Sequence, residues 1–204
     1  MAVRFLYFDL GNVILHFDHR LAARNIAELT GLPESRVWEV LFASGLELRY
    51  ESGELDDCRF YEEFCRITGA GPDRAEWLLA GSRIFQLNTS IVPVLAALQA
   101  AGHRLGILSN TCPAHWSYCQ RYAIVRQGFD VYALSYVLGA CKPERLVYSR
   151  AAELAQVQPE EIFYTDDVAE NVAAAREAGF DAVQYTTTPQ LVEDLQQRGL
   201  RFNY

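Results

Sequence analysis

Lysine is almost missing from this 204-residue chain: lysine and arginine together number 18, and Lys142 alone is lysine. An ordinary solvated surface accepts either residue, so the arginine bias says little about the exterior. It does single out Lys142 as the one compact ammonium in the molecule. Basic charge as a whole is also scarce. A net charge of −8 and a pI near 5.0 exclude a general nucleic-acid binder, which needs a cationic face to displace counterions. The same acidity repels phosphorylated molecules, so any site for one needs local cations. No apolar run reaches the ~20 residues of a membrane span, and Arg4 and Asp9 break the apolar N-terminus, which does not read as a secretory leader. The five cysteines (58, 65, 112, 119 and 141) form no CxxC pair. Their odd number and spacing point to thiols in a reducing cytoplasm rather than disulfides or zinc. With half of its residues hydrophobic, the chain is globular and long enough for one domain carrying a sizeable insertion.

The apolar run Val3 to Phe8 reads as a buried strand that empties at Asp9-Leu10-Gly11 into a tight turn. Residues 16–85 then read as wholly helical. Asp18 caps a helix ending at Gly31, Pro33 opens a second, Asp56 caps a third ending at Gly69, and Pro72 opens a fourth. Beyond residue 86 helices alternate with strands predicted at Arg104–Leu108, Ala133–Leu138, Ile162–Tyr164 and Ala182–Tyr185, with Asp167 capping a helix from Val168. Alternation at crossover spacing predicts a parallel sheet covered on both faces. The expected architecture is a doubly wound α/β core (1–15 and 86–204) with an all-helical insertion (16–85) after its first strand.

Open parallel sheets bind ligands beyond the carboxyl ends of their strands. That edge is predicted to hold Asp9, Ser109-Asn110, the pair Asp166-Asp167 and, in the loop before a helix, Lys142. Taken singly, each has a bland reading as turn or cap chemistry. Together they place five polar side chains and the only lysine on one edge.

Phe8-Asp9-Leu10-Gly11-Asn12-Val13, Leu108-Ser109-Asn110, Lys142-Pro143-Glu144 and Tyr164-Thr165-Asp166-Asp167 resemble, in order, the four motifs of the haloacid-dehalogenase-like superfamily. Residues 16–85 stand where that family carries its helical C1 cap, and the wording FDLGNV with LSNT resembles the sugar-phosphatase branch. The resemblance implies a Mg²⁺-dependent phosphatase acting on a small phosphorylated metabolite. Asp9 becomes the nucleophile that forms an aspartyl-phosphate. Asp9, the Gly11 carbonyl and Asp167 become metal ligands, with Asp166 behind them. Lys142 becomes the point charge between Asp9 and phosphate, and Ser109 and the Asn110 amide hold phosphoryl oxygens. The chemistry suits these residue types: Mg²⁺ takes oxygen ligands, and phosphoryl transfer requires mostly positioning and charge neutralisation.

One position departs from the family's common pattern. Many of its phosphatases carry a second Asp two residues after the nucleophile as general acid and base, and here that residue is Gly11. Such help is typically worth about 10²–10⁴-fold, so the chain is expected to be slow or to prefer esters with acidic leaving oxygens, such as sugar 1-phosphates. His16 and His115 are positional candidates for a replacement. The loop Arg49-Tyr50-Glu51-Ser52-Gly53 is read as a polar segment reaching toward the site, Trp38, Trp77 and Trp116 as core, and Cys141 as an oxidisable neighbour of Lys142. Three other readings share the motifs. A 2-haloacid dehalogenase also uses the Asp nucleophile but needs no metal, which the intact Asp166-Asp167 pair counts against. A receiver-like phosphoacceptor places its acidic pair at the first strand. A phosphate-binding relative would have lost turnover with Gly11.

Overall fold

Strand β1 (Phe5–Phe8) is buried on both faces, as its unbroken apolar run requires. The computed structural model describes residues 2–204, and β1 is the centre of their five-stranded sheet. Its partners are β4 (Leu105–Ser109), β5 (Val131–Leu134), β6 (Ile162–Asp166) and β7 (Asp181–Gln184), in the order β5-β4-β1-β6-β7. Every pairing in this sheet is parallel. Alternation along β1 divides the core in two. Leu6 and Phe8 pack toward α6 (Val92–Ala100) and α12 (Thr188–Gln197), while Phe5 and Tyr7 pack toward α10 (Arg145–Ala155) and α11 (Ala169–Glu177). The chain leaves β1 to build one side of the sheet and returns beside it to build the other. The carboxyl ends of β4, β1 and β6 therefore meet at a topological switch point, where a crevice opens.

A two-stranded antiparallel ribbon, β2 (Leu15–Phe17) against β3 (Phe85–Leu87), carries the chain out of the sheet and back. This corrects the all-helical reading of 16–85, whose two limits fall inside the ribbon. Three-residue strands are too short to print an alternating pattern on the sequence. Between them lie α1 (His19–Thr30), α2 (Glu34–Trp38) continuing into a π-helical turn at Glu39–Ala43, α3 (Leu46–Glu51), α4 (Asp57–Thr68) and α5 (Arg74–Ser82). Asp18 and Asp56 cap α1 and α4 as expected, accepting from Arg20 N–H and Arg59 N–H at 2.8 Å. The cap of α5 is Asp73, which accepts from Glu76 N–H, so Pro72 lies before the helix and not within its first turn. These helices enclose a third core around Trp77, with Phe64 and Phe60 rings 4.8 and 5.1 Å away. Trp38 is exposed instead and lies against Phe42.

The remaining elements are α7 (Pro113–Cys119), α8 (Ala123–Gln127) and α9 (Ser135–Leu138). The predicted strand Ala133–Leu138 is in fact the end of β5 followed by the single turn of α9. Ser135 leaves the sheet because its hydroxyl is bonded elsewhere. It accepts from Thr111 N–H at 2.9 Å and donates to the Glu51 carbonyl at 2.6 Å. That second bond ties the end of α3 to the sheet domain. Two further contacts support it: the Tyr50 hydroxyl accepts from Ala114 N–H at 3.1 Å, and Gly53, at φ +78°, lies directly against the Tyr136 carbonyl.

Gly53 and Gly45 make a controlled pair. Both have φ near +80°, but a Cβ on Gly45 meets nothing within 4 Å, whereas one on Gly53 would lie 2.4 Å from the Tyr136 oxygen. Gly45→Ala should cost the backbone penalty alone, about 1–2 kcal/mol. Gly53→Ala should cost at least ~1 kcal/mol more, a further fall in Tm of about 2–4 °C. Thermal unfolding of both variants measures the difference, and equal losses would show that α3 is not docked through Gly53.

Candidate active site

Asp9 is the first residue beyond β1, its N–H still bonded to the Thr165 carbonyl at 2.9 Å. Its Oδ1 accepts from Leu10 N–H at 2.7 Å and from the Lys142 ammonium at 2.9 Å. The turn that follows is closed by Leu15 N–H to the Leu10 carbonyl (2.8 Å) and Val13 N–H to the Gly11 carbonyl (2.7 Å). Asn12 holds the left-handed conformation there, at φ +52°, one that Asn tolerates better than most residues. Its side chain donates to Asp167 Oδ2 at 3.0 Å. Gly11 itself is not left-handed. A side chain there would force the Phe17 ring to move, since its nearest carbon would lie 2.6 Å from a Cβ.

Lys142 is buried, at 6% exposure. Its Nζ donates to Asp166 Oδ2 at 2.7 Å and lies 3.1 Å from the Tyr164 hydroxyl and 3.3 Å from the Leu108 carbonyl. The loop bearing it is held by Asn110. The Asn110 Oδ1 accepts from Lys142 N–H at 2.7 Å, and its Nδ2 donates to the Lys142 carbonyl at 2.9 Å. The side-chain amide of Asn110 is therefore committed to the lysine loop, which includes a cis Lys142–Pro143 bond. Ser109, buried at the end of β4, turns its hydroxyl to the Asn110 carbonyl at 3.1 Å.

Asp166 is fully buried and fully bonded. Its Oδ1 accepts from Val168 N–H at 2.8 Å, Asn171 donates to both oxygens at 3.2 Å, and the Tyr164 hydroxyl donates to Oδ2 beside Lys142. Asp166, not Asp167, thus organises the entry to α11, where Val168 is the N-cap residue. Asp167 is left half-buried with Asn12 on one oxygen. Oxygens of Asp9, Asp166 and Asp167 lie within 4.8 Å of one another. Tyr164 and Asn171 are positioning residues that the sequence did not announce. The one available cue was an Asn five residues after the first Asp of the acidic pair, in the first turn of the helix that pair opens.

Burial sets the protonation behaviour of this cluster. It pushes the Asp9 carboxyl up to about 7, against the pull of Lys142 and with help from the Asp166 charge. Burial also works to raise Asp166, but the ammonium and the hydrogen bonds outweigh it and hold that carboxyl below its ordinary range. Lys142 responds in the opposite sense: burial works to lower it, and its two carboxylate partners raise it.

A small cavity of about 30 Å³ adjoins the cluster at Gly11, Ser109 and Asn110, and His19, Glu51 and His115 also line this cleft. The predicted polar loop at Arg49–Gly53 is helical through Glu51, and Glu51 is the member of it that lines the cleft. His16 is exposed on β2, opposite Gln86. His115 lines the cleft, but burial and the nearby His19 push its ring down to about 4, so it is neutral at physiological pH. Cys141 is buried, and burial pushes its thiol up to about 11, away from the reactive thiolate.

Comparison with known proteins accords with this geometry. The chain is 25% identical over 163 residues to mouse acyl-CoA dehydrogenase family member 10, a match covering 75% of this chain but only 15% of that protein. It is 23% identical to D-ribitol-5-phosphate phosphatase of Bacteroides thetaiotaomicron, over 89% of this chain and 91% of the relative. A solved HAD family enzyme from Bacteroides thetaiotaomicron, in complex with magnesium and inorganic phosphate, superposes with a TM-score of 0.81 at 23% identity. The superposition covers 92% of this chain and 96% of that one. The profile of haloacid dehalogenase-like hydrolases matches residues 3–179, and with the motifs already in place on the sheet, the chain belongs to that hydrolase family.

Proposed function

We propose that the protein is a Mg²⁺-dependent phosphatase that hydrolyses a small phosphorylated metabolite, a sugar or polyol phosphate, through an aspartyl-phosphate on Asp9. The observation that carries this reading is Lys142 Nζ held 2.9 Å from Asp9 and 2.7 Å from Asp166. It fixes one carboxylate for attack and leaves a cationic point where phosphate arrives. Three carboxylates cluster where two of them share a single ammonium, a charge imbalance that a divalent cation would redress. The donor set fits one. Asp166 has both oxygens filled by protein donors, whereas Asp9 Oδ2 and Asp167 Oδ1 have no donor among the described residues. Asp9 and Asp167, with the Gly11 carbonyl, would hold Mg²⁺, and Asp166 would orient the lysine behind them. When bound, the ion lowers the repulsion between carboxylate and phosphate.

The protein's own groups do the rest. The ammonium screens Asp9 as it approaches phosphorus, and the Ser109 hydroxyl and Asn110 N–H receive phosphoryl oxygens. The sheet domain (1–15 and 86–204) supplies this machinery, and residues 16–85 act as a cap that closes the cleft. Names of relatives support the substrate class: two curated relatives are called phosphatases, one for ribitol 5-phosphate. No helix among the described residues is long and apolar enough to cross a membrane, and five free thiols suit work in the cytoplasm. A phosphate-release screen over sugar and polyol phosphates, with Mg²⁺ and with EDTA, tests the reading directly.

Chelation should abolish turnover and added Mg²⁺ should restore it. Hydrolysis that survives thorough chelation would move the assignment toward the metal-free dehalogenase. Lys142→Arg should lower kcat/KM at least about 100-fold, because a planar guanidinium cannot occupy the point shared by two carboxylates. A near wild-type value would make the lone lysine accidental. Asp9→Asn should fall to background in multiple-turnover assays while still binding inorganic phosphate in the presence of Mg²⁺. Retained turnover would overturn the covalent route.

A further inference from the structure

Gly11 leaves the cluster without a proton donor for the departing oxygen, and Phe17 occupies the space a side chain there would need. The small cavity beside Gly11 holds one further carboxyl: Glu51 lines it together with Gly11, Ser109 and Asn110. Among the described residues its carboxylate accepts no hydrogen bond, although its own backbone carbonyl is pinned by Ser135 at 2.6 Å. The next residue of α3 toward its start, Tyr50, is bonded to Ala114, and Gly53 abuts Tyr136. The backbone of Glu51 is thus anchored to the sheet, and its carboxyl has no hydrogen-bond partner among the described residues.

We propose that Glu51 is the general acid and base that this chain lacks at Gly11, an assignment that rests on the phosphatase reading. In the first step the Asp9 oxygen bonds to phosphorus, the bond from phosphorus to the leaving oxygen breaks, and the Glu51 carboxyl transfers its proton to that oxygen. In the second, water attacks the phosphorus of the aspartyl-phosphate and the bond to Asp9 breaks. The Glu51 carboxylate takes a proton from that water, which restores both carboxyl groups and releases phosphate.

The surroundings suit the task. Burial pushes the Glu51 carboxyl up to about 7, opposed by the Lys142 charge, so both protonation states are available near neutrality. The groups facing it are Glu47 one turn earlier on α3, His19 of α1, Cys112 and His115 at the start of α7, and Cys141 beside Lys142. Atoms of Glu47, Glu51 and His115 lie within 4.8 Å of one another. Burial and the charge of Glu51 push Glu47 well above its usual range, and both histidines are lowered, chiefly by burial.

Steady-state kinetics of the Mg²⁺-loaded wild type and Glu51→Gln on glycerol phosphate and on 4-nitrophenyl phosphate test the assignment. For the alkyl ester kcat/KM should fall about 10²–10⁴-fold, and for the activated aryl ester less than about tenfold, since protonation helps only a basic leaving oxygen. With both esters kcat should fall, because the water step loses its base. Inhibition by inorganic phosphate should change less than about threefold, showing an intact site. An equal loss of kcat/KM for both esters, or no loss, overturns the proposal. If Glu51→Gln shows no cooperative thermal unfolding, the wild type decides alone across aryl and alkyl esters. A shallow dependence of kcat/KM on leaving-group basicity supports the acid, and a steep one overturns it while leaving the phosphatase reading intact. A wild type inactive on every ester overturns both.

Discussion

The buried ammonium of Lys142 is the constraint to which the rest of the site answers. A lone charge at that depth would cost several kcal/mol, so it exists only because Asp9 and Asp166 stand on either side of it. Those partners in turn must come from different strands. Asp9 follows β1, Asp166 ends β6, and Lys142 arrives from the loop after β5 and α9. The strand order β5-β4-β1-β6-β7 brings the three to one crevice. Breaking such a pair by removing one member typically costs about 3–5 kcal/mol. The support around it is correspondingly dense: Asn110 clamps the lysine backbone on both sides, and Tyr164, Asn171 and Val168 fill the remaining valences of Asp166.

That rigidity divides labour between two adjacent aspartates. Asp166 and Asp167 are neighbours in sequence, yet the end of a strand turns their side chains to different surroundings. Asp166 is sealed under α11 and works on Lys142, while Asp167 faces outward with only Asn12 upon it. A carboxylate already saturated by protein donors is a poor ligand, and one with a free oxygen is a good one. The turn after β1 serves the same end. Asn12 takes the strained left-handed position and directs its amide to Asp167, so one residue both closes the loop and orients the outer carboxylate.

What the sequence disclosed follows from which forces print locally. Continuous apolar strands, Asp caps and left-handed glycines at helix ends leave short, regular marks, and the doubly wound core was legible from them. The members of the polar edge were legible too, because strand ends in a parallel sheet share one side. What was hidden depends on contacts between distant residues. The ribbon at Leu15–Phe17 and Phe85–Leu87 is held by pairing across some 70 residues of chain, and α9 replaces the end of a predicted strand because Ser135 is bonded to Thr111 and Glu51. Glu51 itself looked like part of a polar loop. Its importance comes from the docking of α3, and no local pattern encodes that docking.

The same docking connects the missing carboxylate at Gly11 to the helical cap. An acid two residues after the nucleophile would sit on the rigid turn and be present whether or not substrate had been enclosed. Here that space belongs to Phe17, whose ring also packs on Phe85 across the ribbon and on His19 of α1. A carboxylate at residue 11 would therefore push against the Phe17 ring and, through it, against Phe85 and His19. The acid proposed on α3 stands instead on a helix held against the sheet by Ser135, Ala114 and Tyr136. In the proposed reading the Phe17 ring fills the space beside Gly11, and the acid comes instead from a helix whose place depends on its contacts with the sheet.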